Sequence, residues 1–315
     1  MRKKASLIIF AILIACACVA APFEARAAST PVFKPFHGRD GSLLIAIRSI
    51  DEGKETKYLA IDARSFKVSV IGKKEMGKAA LESEWKATPY ARALKKYNKP
   101  YPGSQNAGLT RGARDGLYLT VDLCPSTKKM DAQLFKAISE LDYLKEKPLP
   151  VAIAVSGMWI QRHEDELASI LELERKGAIS ITWVNHTMTH PYDVDKPIEE
   201  NFLLMPEVDF EKEILDNEET MLKRGLIPSP FFRFPGLVSD TALLARLERL
   251  SLIPIGADAW LAKGEVPQKG SIILVHGNGN EPFGVKKLIE FLETKKKELE
   301  TGELRFLPLR DAPKR

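Results

Sequence analysis

A chain of 315 residues with 44% hydrophobic content is long enough for one large folded domain, or one domain with a small appendage, and its composition excludes a disordered chain. The net charge of +5 includes four basic residues and one acid within residues 1–27, so removal of that segment leaves +2. A balance that close to neutral argues against nucleic-acid binding and against strong electrostatic steering.

The first residues read as an export signal. Arg2, Lys3 and Lys4 precede an apolar run from Ala5 to Ala21, and Ala25-Arg26-Ala27 is a small-x-small cleavage site. A transmembrane anchor is the weaker reading, because the run is at the short limit for crossing a bilayer and a processing site follows it. Leu13-Ile14-Ala15-Cys16 also reads as a lipoprotein signal, which would leave a lipid on Cys16 and attach the protein to a membrane. The mature chain is therefore expected in the periplasm or cell envelope, beginning near Ala28 or, if lipidated, at Cys16. Mass spectrometry of protein from the native envelope decides between the two, and Met1 retained on cytosolic protein would refute both. Cys16 and Cys18 lie inside the signal, so cleavage before Ala28 leaves Cys124 alone, with no intramolecular disulfide available.

Residues 28–113 are expected to form a small β-rich extension and a linker. Leu43–Ile47, Tyr58–Ile61 and Phe66–Ile71 alternate like strands, and Asp62-Ala63-Arg64-Ser65 suits a hairpin loop between the last two. Residues 86–114 are basic and rich in turn formers, as in Lys99-Pro100-Tyr101-Pro102-Gly103-Ser104, and read as a surface connection. From residue 114 onward, strands alternate with helices. Strands are expected at Leu117–Leu123, Pro150–Val155, Ile179–Val184, Phe231–Phe234, Pro254–Ala257 and Ser271–Val275, and helices at Asp131–Leu144, Glu164–Lys176, Phe210–Arg224, Thr241–Leu250 and Val285–Leu299. This order predicts an α/β fold with a parallel sheet and right-handed crossovers, open or closed into a barrel. There is no internal repeat and no low-complexity tract.

Of five histidines, two form Asn185-His186-Thr187-Met188-Thr189-His190 directly after an apolar strand. If a helical turn begins there, the i, i+4 spacing puts both imidazoles on one face, close enough to share a metal. That spacing alone does not separate a metal site from a surface pair. Its place at a strand end, where ligands gather in α/β folds, favours the metal. His37 and His163 fit no pattern and read as surface residues.

Four more segments fall at comparable strand ends: Thr120-Val121-Asp122-Leu123-Cys124-Pro125-Ser126, Phe232-Arg233-Phe234-Pro235-Gly236, Asp258-Ala259-Trp260 and Ile273-Leu274-Val275-His276-Gly277. Taken in order with the histidine pair, they resemble the five motifs of the polysaccharide deacetylases, the NodB-type or family 4 carbohydrate esterases, over about residues 115–312. The resemblance implies a distorted or incomplete (β/α) barrel of fewer than eight strands. It also implies a metal-dependent removal of N-acetyl, or O-acetyl, groups from a cell-envelope or exported polysaccharide. Under it, His186 and His190 are metal ligands, Asp122 is the catalytic base and Arg233 orients that base. His276 is the general acid and Asp258 tunes it, while Trp260 forms a wall and Leu274 lines the acetyl-methyl pocket. Pro235 and Gly236 complete the arginine motif and are expected to bind substrate, a backbone N–H there helping to hold the oxyanion, with Gly236 standing where an aromatic residue is common. Zinc is the expected ion in so nitrogen-rich a site. Taken singly these residues have ordinary explanations: Asp122 a helix cap, Arg233 a surface ion pair, His276 and Trp260 core. Their joint occurrence in family order is what favours chemistry. Amide hydrolysis independently asks for a Lewis acid, a base and an acid.

Leu123 departs from the pattern, because the family's first motif carries a metal-ligand Asp there. Three repairs are open. Asp122 itself becomes a ligand with His186 and His190; or Cys124, on the same side of an extended strand, supplies a thiolate; or the metal is weak or absent and the protein is a catalytically impaired, glycan-binding relative. A hydrolase of another small amide or ester on the same fold is a further alternative. Neither the sugar polymer nor the oligomeric state is readable from the sequence.

Overall fold

The computed structural model describes residues 28–314 apart from 54, 142, 145 and 146; the expected signal, with Cys16 and Cys18, lies outside them. Ala28, the expected first mature residue, opens the first strand.

Strands β1 (Ala28–Gly38), β2 (Leu43–Glu52), β3 (Glu55–Asp62), β4 (Val68–Gly72) and β5 (Met76–Ala79) form an antiparallel sheet in the order β4-β3-β2-β1-β5. The hairpin expected at Asp62–Ser65 is there, held by Asp62 Oδ1, which accepts from the N–H groups of Arg64 and Ser65 at 3.0 and 2.6 Å. β1 is the strand the sequence hid. Pro31 and Pro35 argue against a strand interior, and the register against β2 shifts between Pro31 and Lys34 to accommodate them.

The second sheet holds β6 (Tyr118–Leu123), β7 (Leu149–Val155), β8 (Ile179–Asn185), β9 (Phe231–Phe232), β10 (Ile253–Pro254), β11 (Ala259–Trp260) and β12 (Ile272–His276). All seven run parallel in the order β10-β9-β8-β7-β6-β12-β11, a curled incomplete barrel. Helices such as Ala132–Ser139, Glu164–Arg175, Phe210–Lys223 and Thr241–Arg249 connect the strands. Asp131, Asp209 and Asp240 cap three of them by accepting from the first free N–H groups. The sequence merged the carboxyl-terminal helix into one; it breaks at Lys295 into Pro282–Thr294 and Lys296–Thr301. A further helix, Gly157–Arg162, was not foreseen.

Period-2 alternation sorts each inner strand into two layers. Val121, Leu123, Ile153, Val155, Ile273 and Val275 face the helices, whereas Ala152, Ala154, Ile272 and Leu274 share the interior cluster. Thr120 and Asp122 are the alternate, equally buried residues of β6.

The expected surface connection over residues 86–114 is in fact built into the barrel. Thr88 caps the helix Pro89–Tyr97, whose Tyr90, Ala93 and Leu94 are buried. Leu109, fully buried, bridges to Ile255 beside β10, and Arg111 bridges to Ser271 beside β12, so this segment spans the gap between the sheet's two ends. Asn106 locks it there by donating to the carbonyl of Ala257 at 2.7 Å and accepting from its N–H at 2.8 Å. A Cβ on Gly108, whose φ is +93°, would lie 2.3 Å from the Pro254 carbonyl oxygen, so only glycine permits the approach. The turn formers Lys99–Gly103 are themselves exposed, as expected, whereas the helix before them and the bridging residues after them are packed into the barrel.

The antiparallel sheet packs against this barrel: Leu43, Ile45, Ile47 and Ile50 of β2 share one cluster with Phe231, Leu243, Leu244 and Leu247. A bulge in β2 between Ala46 and Arg48 turns Arg48 to that face. There Arg48 makes a bidentate pair with Glu218, Nε to Oε2 at 2.6 Å and Nη2 to Oε1 at 2.9 Å, and also donates to the carbonyls of Ile47 and Leu250.

Candidate metal centre and catalytic site

The carboxyl ends of β6, β8, β9 and β12 bring Asp122, His186, Arg233 and His276 together. Asp122 pairs in register with His276 across adjacent strands, and its N–H-accepting carbonyl is tied to Gly277 at 3.0 Å. Leu123 points the other way, into the sheet–helix layer; a Cβ on Gly277 would meet its Cδ2 at 3.1 Å. Leucine at this position therefore fills a core site and leaves the interior to Asp122 and Cys124.

The His186-to-His190 segment is not a helical turn, contrary to the sequence expectation. Thr187 and His190 have φ of +67° and +51°, a conformation that costs a β-branched residue such as Thr187 about 1–3 kcal/mol. Its surroundings hold it. Thr187 N–H donates to Asn185 Oδ1 at 2.9 Å, and that oxygen also accepts from Asn217 at 2.8 Å. Met188 N–H donates to the Glu213 carbonyl at 2.8 Å, and Thr189 donates to the Glu213 carboxylate from both its N–H and its hydroxyl. The loop presses so closely on Gly157 that a Cβ there would sit 2.1 Å from the Met188 sulfur. The product is the arrangement that helical spacing was meant to supply: the two imidazoles stand 4.8 Å apart, edge to face.

His186 Nδ1 lies 2.8 Å from the Arg233 carbonyl oxygen. A carbonyl only accepts, so Nδ1 carries the proton and Nε2 turns its lone pair to the site. Burial lowers His186 to about 4, which keeps it neutral and ready to ligate. Its Nε2 is 3.4 Å from Cys124 Sγ, and donor atoms of Cys124, His186 and His190 all lie within 4.8 Å of one another. Asp122, expected among the ligands, stands off: its Oδ2 is 3.9 Å from His186 Nε2 and outside that group. Burial pushes the Cys124 thiol up, but the neighbouring charges of His190 and His276 outweigh it and bring it to about 7.

Asp122 is buried, with Oδ2 3.5 Å from Arg233 Nη1, while Arg233 Nη2 donates to Thr120 at 2.9 Å. Its Oδ1 has no hydrogen-bond partner among the described residues. A buried carboxylate held by a guanidinium, with one oxygen unspent, is a base awaiting a proton.

Asp258 does not tune His276. Its Oδ2 is taken by Arg111 at 2.7 Å and Ser271 at 3.2 Å, and its Oδ1 by the N–H of Ile272 at 2.8 Å, so it fastens the bridging segment to β12. Glu281 holds His276 instead, with Oε2 2.7 Å from Nδ1, and the same oxygen accepts from Trp260 Nε1 at 3.2 Å. Burial alone would lower His276, but Cys124, Glu281 and Asp122 together raise it well above the usual histidine value. The only sequence signal for Glu281 was an acid just before the Pro282 helix start, five residues past His276, in a turn the sequence does not shape.

Trp260 stands beside His276, ring centres 5.8 Å apart, where a wall would be, and Leu274 is buried below in the same cluster. Pro235 and Gly236 form a short turn in which Gly236 has φ +60°. A Cβ there would fall 2.5 Å from the ring of Phe202, which meets His190 edge-on. The aromatic side chain missing from position 236 is thus replaced in space by one from another loop. His163, read as a surface residue, is buried: its Nε2 donates to the Ser126 carbonyl at 3.0 Å and its ring stacks on Trp159. His37 is partly exposed and lies 3.3 Å from Glu84.

The Cys-His-His donor set, with its fixed tautomer and mutual spacing, fits a divalent metal. Residues 111–254 match the family model described as polysaccharide deacetylase. Among solved structures, a family 4 carbohydrate esterase from Bacillus anthracis is 16% identical with a TM-score of 0.46, over 71% of this chain and 90% of that one. A Bacillus subtilis family 4 esterase is 15% identical with a TM-score of 0.47, over 80% and 92%. One from Streptomyces lividans is 17% identical with a TM-score of 0.42, over 61% and 91%. Over residues 111–254, this chain is thus similar to the polysaccharide deacetylase family.

Proposed function

We propose that the protein is an exported, metal-dependent deacetylase that hydrolyses N-acetyl or O-acetyl groups on a cell-envelope or exported polysaccharide. One observation carries the reading: a base, an acid and a metal-binding group converge at one end of the parallel sheet. Asp122, 3.5 Å from the Arg233 guanidinium, takes the proton of the attacking water. His276 holds its Nδ1 proton against Glu281, which leaves Nε2 to protonate the departing nitrogen or oxygen. Trp260 excludes water on the His276 side and Leu274 offers an apolar floor for the acetyl methyl. A divalent ion, zinc by the softness of its donors, supplies Lewis acidity to the acetyl carbonyl when bound. The retained acid and base favour catalysis over a purely glycan-binding relative, which has no use for either.

Acetate release from N-acetylglucosamine oligomers and from peptidoglycan tests this directly. Dialysis against a chelator is expected to abolish release and zinc to restore it. Binding of the oligomers without any release, in zinc-loaded protein, would make this a glycan-binding relative instead. Full release after exhaustive chelation would remove the metal from the reaction.

A further inference from the structure

We propose that Cys124 is the third protein ligand of the metal centre, making it a thiolate–bis-imidazole site with Asp122 outside the coordination shell. The inference rests on the metal-dependent reading above and goes beyond it, because the donor that replaces the missing aspartate at position 123 comes from the next residue along.

Strand geometry provides the opening. Asp122 and Cys124 face the interior while Leu123 faces the helices, so the side chain one residue past position 123 enters the site at its metal side. The carbonyl of Cys124 accepts from the buried Asn278 side chain at 3.2 Å, which fixes the residue just beyond the end of β6. Distances then separate the two candidate ligands. Two donors on one tetrahedral zinc, at about 2.3 Å for sulfur and about 2.0 Å for imidazole nitrogen, lie about 3.5 Å apart. Cys124 Sγ and His186 Nε2 are 3.4 Å apart. Carboxylate oxygen and imidazole nitrogen on the same ion would lie about 3.4 Å apart, whereas Asp122 Oδ2 is 3.9 Å from that nitrogen and beside the Arg233 guanidinium.

A nucleophilic role for Cys124 would need one imidazole of the His186–His190 pair as its partner and leave the other without employment. A packing role would leave the lone pair of His186 Nε2, held in place by the Arg233 carbonyl, aimed at a sulfur for no purpose. The metal uses all three donors. It also predicts selectivity: a thiolate favours zinc and cobalt and disfavours magnesium and calcium.

Cobalt(II) added to metal-free full-length mature protein provides a readout independent of any activity. Thiolate ligation is expected to give a near-ultraviolet sulfur-to-cobalt charge-transfer band, absent in Cys124→Ser and retained in Asp122→Asn. Zinc affinity of Cys124→Ser should fall by more than the roughly 10- to 100-fold typical of losing a ligand's hydrogen-bond partner. Circular dichroism confirms that the variant is folded, and alkylation of Cys124 in the wild type, slowed by zinc, tests the same contact without mutation. Cobalt bound with no such band, or zinc affinity unchanged in folded Cys124→Ser with alkylation indifferent to zinc, overturns the inference and leaves a deacetylase with another ligand set. Failure of the wild type to bind either ion overturns the metal-dependent reading as well.

Discussion

Asp122→Asn is expected to lower kcat for acetate release by about 10²- to 10⁴-fold while zinc content stays at the wild-type level. The asparagine keeps the size of the side chain and an oxygen to face Arg233 Nη1, which lies 3.5 Å from Asp122 Oδ2. It loses only the capacity to take a proton. Asp122 Oδ1, buried and without a hydrogen-bond partner among the described residues, is the atom whose basicity is removed. Because the lost interaction belongs to the transition state, KM should change little. Measuring kcat, KM and bound metal on one preparation separates the possibilities. Loss of metal would return Asp122 to the ligand role that the sequence pattern allowed, and wild-type turnover with full metal would remove it from the chemistry altogether.

The sequence carried this site unevenly, and the reasons are physical. Asp122 and His276 were legible because they lie at the ends of β6 and β12, and His186 because it follows β8, since strand periodicity survives in sequence as alternation; His190 and Arg233 were legible through the motifs they complete. Helical spacing was the wrong warrant for the histidine pair, since positive φ at Thr187 and His190 and anchors on Glu213 and Asn217 do the positioning. Those anchors come from a helix more than twenty residues away, and no local pattern encodes them. The same limit separates Asp258 from Glu281. Motif order pointed to Asp258 as the partner of His276, yet the Arg111 segment claims it, and a turn acid takes its place. Two-residue strands such as β9 and β11 are too short to show a period. The extension's hairpin was readable, while its docking was not, because the bulge at Ile47 that redirects Arg48 has no signature in an otherwise apolar run.

That docking can be weighed. Arg48→Met is expected to destabilise the whole protein by about 3–5 kcal/mol, the usual cost of removing one partner of a buried ion pair. Both side chains are only 1% exposed, and Arg48 makes two hydrogen bonds to Glu218 and two to carbonyls of Ile47 and Leu250. The cost comes from what remains: a Glu218 carboxylate sealed from water, with its cation gone. Pairing the change with Glu218→Leu removes that stranded charge, so Arg48→Met/Glu218→Leu should recover most of the loss, leaving the two carbonyls as the residual penalty. Urea unfolding of the singles and the double, read both by tryptophan fluorescence and by far-ultraviolet circular dichroism, reports the coupling. One transition seen alike by both probes in the wild type would mean that the antiparallel sheet and the barrel unfold together, as the shared cluster of Ile45, Ile47, Phe231 and Leu244 requires. A loss below about 1 kcal/mol in the single variant, in the range of exposed pairs, would mean that water reaches Glu218 and that the sheet is only loosely seated.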